Sequence, residues 1–169
     1  MRPKYLLTAL MLVLSAGACG PRRPVVAPPP PAPAPPPPPA LTAEEAERAR
    51  AADALRWWEQ GVVAGRQGRW SDAERLYRQA AAAQPGAPTY HMALASALTQ
   101  LGRENDAATA MLAGIRAEEA LPRPNHRVLA VDYQRLIRML ERLNRLDEAR
   151  AARERQRFHQ TMRDAAPPR

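Results

Sequence analysis

The sequence predicts an all-α fold, a short α-solenoid of about three helical hairpins, and three observations carry that expectation. Gly68 and Gly102 stand 34 residues apart, as do Ala73 and Ala107, a fixed period of the kind that marks stacked helix pairs. Within the period the apolar residues Ala73, Leu76, Tyr77 and Ala80 fall at i, i+3, i+4 and i+7, one face of a helix. The segments are bounded by capping pairs, glycines and prolines, which are the stop and start signals of helices.

The chain opens differently. Arg2 and Lys4 precede an apolar run over residues 5–14 that is too short to cross a bilayer needing about 20 apolar residues. A basic start, a short apolar stretch and then small residues read as an export signal over residues 1–18. Ser15-Ala16-Gly17-Ala18-Cys19 resembles the lipobox of bacterial lipoproteins, with Ala16 in place of the usual branched apolar residue. The resemblance implies that Cys19, the single cysteine, carries lipid and becomes the first residue of the mature chain. One acyl chain gives only reversible membrane binding, and that family attaches three. Gly20, rather than Asp, after the cysteine implies the outer membrane, with the chain facing the periplasm.

Twelve of the twenty residues from 21 to 40 are proline. Proline fixes φ and has no N–H to donate, so this stretch predicts an extended, disordered tether without helix or strand. At about 3.1 Å per residue it reaches roughly 60 Å. A docking ligand for a proline-binding domain is the alternative reading. Residues 19–41 thus form a lipidated cysteine and linker, and the helical domain is expected over 42–163 with a tail over 164–169.

Thr42 and Glu45 form a capping-box pattern, and an Ala-, Glu- and Arg-rich run continues to about Arg66. Gly68 breaks it. Ser71 and Glu74 form a second capping pattern, opening a helix to about Gln84 that Pro85 and Gly86 end. A third hairpin shows in Tyr133, Leu136, Ile137, Leu140 and Leu143, with Asp147-Glu148-Ala149 echoing Ser71 to Ala73. Ala107 to Ala149 is 42 residues, eight more than the period, and the excess is expected as an extended loop around residues 121–128. There Pro122 and Pro124 oppose helix and Asn125 can cap the next one.

Trp57, Gly61, Gly68, Trp70, Ala73, Tyr77, Ala80 and Pro85 resemble the signature of tetratricopeptide repeats, with Gln60 and Ala64 as departures. A second repeat keeps Leu94, Ala95, Leu98, Gly102, Ala107 and Met111, with His91 at the aromatic position and Gly114 at a small one. Repeats are expected at about 54–87, 88–121 and 130–163, the polar Arg153 and Gln156 marking a terminal helix. The resemblance implies a right-handed curved array. Gly61 and Ala73 would allow the two helices of a hairpin to approach, and Trp57, Tyr77 and Ala80 would fill the space before the next hairpin. It also implies a groove lined by the first helix of each pair: Leu55, Trp58, Val62 and Arg66, then Met92, Ser96, Thr99 and Gln100, then Gln134, Arg138 and Arg142. Trp58 points either into that groove or under the tether. The groove-side Lys and Asn residues of the clamp found in chaperone-binding members are missing, so that specificity does not carry over.

No catalytic, cofactor or metal constellation is visible. His91, His126 and His159 are scattered and read as packing or surface residues, and Glu44-Glu45, Glu118-Glu119 and Asp147-Glu148 read as solvated charge. The net charge is +8, and residues 134–169 hold ten arginines against five acidic side chains. Export excludes nucleic acid as the partner of this charge, leaving an anionic polymer or lipid surface or a solvated face. The expectation is a non-enzymatic, lipid-anchored adaptor that binds a protein or peptide in its groove. An anionic envelope link through the Arg-rich end is the alternative.

Overall fold

A computed structural model describes residues 42–165. The expected signal segment, Cys19, the proline tether and residues 166–169 lie outside the described residues. Six helices follow in order: α1 (Ala43–Arg66), α2 (Trp70–Ala83), α3 (Pro88–Gln100), α4 (Glu104–Glu119), α5 (His126–Arg142) and α6 (Leu146–Ala165). The final helix therefore includes Asp164 and Ala165, which the sequence reading assigns to a tail. Each helix packs chiefly on its neighbours in the chain, α1 on α2 through to α5 on α6. Such nearest-neighbour packing makes a linear array in which every hairpin is stabilised by the next.

The boundaries follow from local chemistry. Thr42 caps α1 through a reciprocal pair, the Glu45 N–H donating to Thr42 Oγ1 at 3.2 Å and the Thr42 N–H donating to Glu45 Oε2 at 2.8 Å. Pro88 opens α3 at a position where its missing N–H is not needed. The Asn125 side chain accepts from the Val128 N–H and starts α5. That cap shortens the expected loop, since Arg127 and Val128 are already helical.

One turn is used three times. Gly68 (φ 72°), Gly102 (φ 71°) and Asn144 (φ 58°) adopt the left-handed conformation at the ends of α1, α3 and α5. Behind each, an arginine N–H returns to a carbonyl five residues back: Arg69 to Ala64, Arg103 to Leu98 and Arg145 to Leu140, at 3.0, 2.9 and 2.9 Å. These are Schellman closures, which satisfy the last free carbonyls of the helix. The same arginines then reach forward to Asp72, Asp106 and Glu148 in the first turn of the next helix. This corrects the expected Ser71 and Glu74 cap. The N-cap of α2 is Arg69, with no side-chain cap bond, and Ser71 lies exposed within the first turn. Glu74 turns inward, is buried, and holds Arg78 of its own helix and Arg103 of the next hairpin, the latter at 2.9 Å.

Two apolar clusters form the core. One joins Ala64, Ala73, Leu76 and Tyr77 to Ala97 of α3, with Trp57, Trp58, Val62 and Trp70 packed on it. The other runs through α3 to α6 and includes Leu98, Ala107, Ile115, Leu129, Tyr133, Leu136 and Ala149. Glycines permit close approach at Gly61, at Gly65, where a Cβ would meet Trp70 Cζ3 at 3.2 Å, and at Gly114. A Cβ on Gly61 would sit 2.5 Å from Tyr77 Cε1, so Gly61 makes room for the Tyr77 ring, whose apolar cluster also reaches Ala97 of the next hairpin. A Cβ on Gly114 would meet His91 Cβ and Met92 Cγ at 3.2 Å. His91 thus occupies the expected aromatic position against a small residue, and Ala80 is fully buried.

Candidate partner-binding surface

The eleven residues expected to face a partner lie on α1, α3 and α5, the first helix of each pair. On α1, Leu55, Trp58, Val62 and Arg66 form one stripe. Leu55 is 48% exposed and Arg66 is exposed, while Trp58 and Val62 are half-buried against the first cluster. Trp58 therefore divides its ring between packing and solvent. On α3, Ser96, Thr99 and Gln100 are exposed, Thr99 turning its hydroxyl back to the Ala95 carbonyl at 2.9 Å. Met92, like Trp58 and Val62, is half-buried: it packs on the second cluster and against Gly114, which has no side chain to hold it off. On α5, Gln134, Arg138 and Arg142 are exposed at i, i+4 and i+8. Arg142 approaches Glu104 at 3.6 Å.

These stripes carry three arginines and no carboxylate. Val131, 45% exposed, lies on α5 one turn before Gln134 and was missed. Its place in the third repeat matches that of Leu55 in the first, a signal that the 34-plus-8 spacing contained. Together the exposed positions offer apolar contact on α1, small hydroxyl and amide groups on α3, and guanidinium groups on α5. That combination suits side-chain recognition of a polypeptide with acidic and apolar positions.

A second constellation joins side chains that lie far apart in the sequence. Glu119 at the end of α4 accepts from Tyr133 Oη at 3.0 Å, Arg155 Nη2 at 2.7 Å and His159 Nε2 at 2.8 Å. His159 is 2% exposed, and its Nδ1 meets Nδ1 of His126 at 2.8 Å. Because a carboxylate only accepts, His159 Nε2 donates to it, and one proton joins the two Nδ1 atoms. Burial pushes the Glu119 carboxyl up, but the bonds from His159, Arg155 and Tyr133 outweigh it and hold the group below its usual range. Burial raises Tyr133, and the Glu119 hydrogen bond raises Arg155. The cluster ties α4, α5 and α6 together. Every polar atom buried among the described side chains finds a partner. His159 lies on the stripe of Ala149, Ala152 and Gln156 that faces α5, which a helical projection of the last segment reveals.

No group of three or more metal-ligating side chains occurs among the described residues, and no described helix is long and apolar enough to cross a membrane. The sequence matches no known family profile. The structure is similar to the first TPR of Spaghetti (RPAP3) bound to the HSP90 peptide SRMEEVD, with a TM-score of 0.51 and 22% identity over 64% of this chain and 80% of that one. The fold is the tetratricopeptide fold. In sequence the chain is 46% identical over 67 residues to a surface lipoprotein assembly modifier of Pasteurella multocida (strain Pm70). That stretch is 40% of this chain and 13% of its relative, so the chain spans only a small part of the relative's length.

Proposed function

We propose that this chain is a lipid-anchored envelope adaptor whose α1, α3 and α5 surface holds a protein or peptide partner during assembly of an envelope complex. Lipid at Cys19 and the proline tether would suspend the array from the outer membrane, facing the periplasm. The observation that carries the reading is the exposed, carboxylate-free stripes on alternate helices of a tetratricopeptide array. The similarity to a surface lipoprotein assembly modifier supports an assembly role in the envelope, whether in pilus, secretion, outer-membrane or cell-wall machinery. The role is binding and not catalysis.

The test is a crosslinking pull-down from intact cells with the full chain and two variants that leave the core alone, Leu55→Glu and Arg138→Glu. The account expects a discrete partner that both variants lose. Recovery of the same partner at wild-type yield by both would overturn it.

The alternative, an Arg-rich end gripping an anionic polymer, draws on the charge of residues 134–169. Of the nine arginines described there, seven already face a carboxylate, leaving Arg138 and Arg157. That pairing favours the protein partner. Retention on an anionic polymer that disappears between about 0.1 and 0.5 M salt, as screening shortens, would restore the alternative.

A further inference from the structure

A trough lies on the opposite side of α5 from the partner-facing residues. Its walls are α4, through Ala108 and Leu112, and α6, through Ala151 and Ala152; Leu136 and Leu140 of α5 form its floor. One end is closed by the Glu119, Tyr133 and Arg155 cluster, the other by Arg145 with Glu148. Alanine at three wall positions leaves open a space that larger side chains would close, and its volume is about 320 Å³.

The dimensions select the occupant. Along α4 the lining runs from Ala108 to Glu119, about 16 Å at 1.5 Å per residue. Over that length 320 Å³ makes the trough a narrow one, wide enough for an extended polymethylene chain laid lengthwise. A helix, about 10 Å across, does not enter. Three bonds of an extended chain span about 3.8 Å, so the trough accommodates about a dozen carbons.

Charge selects the end group. Both carboxylates of the trough are engaged, Glu119 by Arg155 and Glu148 by Arg145. Arg116 in the α4 wall, one turn before Glu119, is exposed and has no carboxylate within ion-pair distance among the described residues. A single guanidinium beside an apolar channel matches a chain with one anionic end.

We propose that this trough binds one free, unbranched fatty-acid anion of about a dozen carbons, at a site separate from the α1, α3 and α5 surface. The experiment is calorimetric titration of the full chain with dodecanoate, well below its micelle concentration. The expected result is one site per chain, with hexanoate at least about tenfold weaker because half the buried methylenes are gone. Dodecanol should bind several-fold more weakly than dodecanoate, and Arg116→Glu should abolish that difference. Ala151→Phe, at an exposed wall position, should lose dodecanoate binding with helicity retained, whereas Leu55→Glu should bind it normally. Absence of heat, many equivalents bound per chain, or equal affinity for hexanoate and dodecanoate would overturn the proposal. Cosedimentation with phosphatidylglycerol vesicles in place of dodecanoate binding would assign the surface to a bilayer and overturn it as well.

Discussion

Replacing Glu119 by alanine removes the common acceptor of three donors. Two of them, Tyr133 Oη and His159 Nε2, belong to buried residues, while Arg155 is half exposed and regains water. A buried donor left without a partner costs about 1–3 kcal/mol. The adjoining trough admits water to part of the site, so the sum falls at about 2–4 kcal/mol. Glu119→Gln keeps one acceptor and loses the charge, and should cost about 1–2 kcal/mol. Urea unfolding of the full chain, followed by far-UV circular dichroism, reads both values, and the slope against denaturant should stay constant because the native surface is unchanged. Acid supplies a second readout. The folded-state Glu119 carboxyl lies below its ordinary value, so the unfolded chain takes up that proton first. The stabilisation is therefore complete above about pH 5 and is lost as pH falls through the folded-state value. Glu119→Gln should remove that part of the acid slope. A loss below about 0.5 kcal/mol in Glu119→Ala at pH 7 would refute the view that this cluster joins α4, α5 and α6.

Three further outcomes follow from the geometry. Gly61→Ala forces a Cβ into the Tyr77 ring and should destabilise by about 1–3 kcal/mol, with Tyr77→Leu in the same chain recovering part of the loss in urea titrations. Gly102→Ala should cost about 1–2 kcal/mol through its left-handed backbone, while Asn144→Gly should be neutral or gain a few tenths, measured by thermal melting. Asp132 is buried, and burial raises its carboxyl above the usual value against the opposing pull of Arg135. Since the folded chain binds that proton more tightly, Asp132 stabilises least once ionised, so Asp132→Asn should raise the urea midpoint at pH 7 and lose that gain below about pH 4.

The helical array was legible because its determinants are local or strictly periodic. The Thr42 and Glu45 box, the glycines at 68 and 102, Asn125 and the apolar stripe of the third hairpin each depend on residues close in sequence. The start of α2 was less legible. Ser71 and Glu74 have capping chemistry, but the positive φ of Gly68 sets the N-cap two residues earlier, at Arg69, and Glu74 is drawn into a bridge with Arg103 that lies 29 residues away. Long-range polar pairing is also why the histidines looked scattered: His126 and His159 are 33 residues apart and meet only because α5 and α6 run antiparallel. Of the candidate surface, exposure at Leu55, Ser96, Gln134 and Arg138 followed from the repeat register. Trp58, Val62 and Met92 are only half-exposed, because each packs on an apolar cluster whose other members come from distant parts of the chain.

Photocrosslinking in living cells tests the central claim most directly. A photoreactive residue at Ser96 or Gln134, on α3 and α5, should give one discrete adduct, whereas the same residue at the exposed Arg75 of α2 or Arg150 of α6 should give none. Adducts from Arg75 and Arg150 with none from Ser96 or Gln134 would contradict the account.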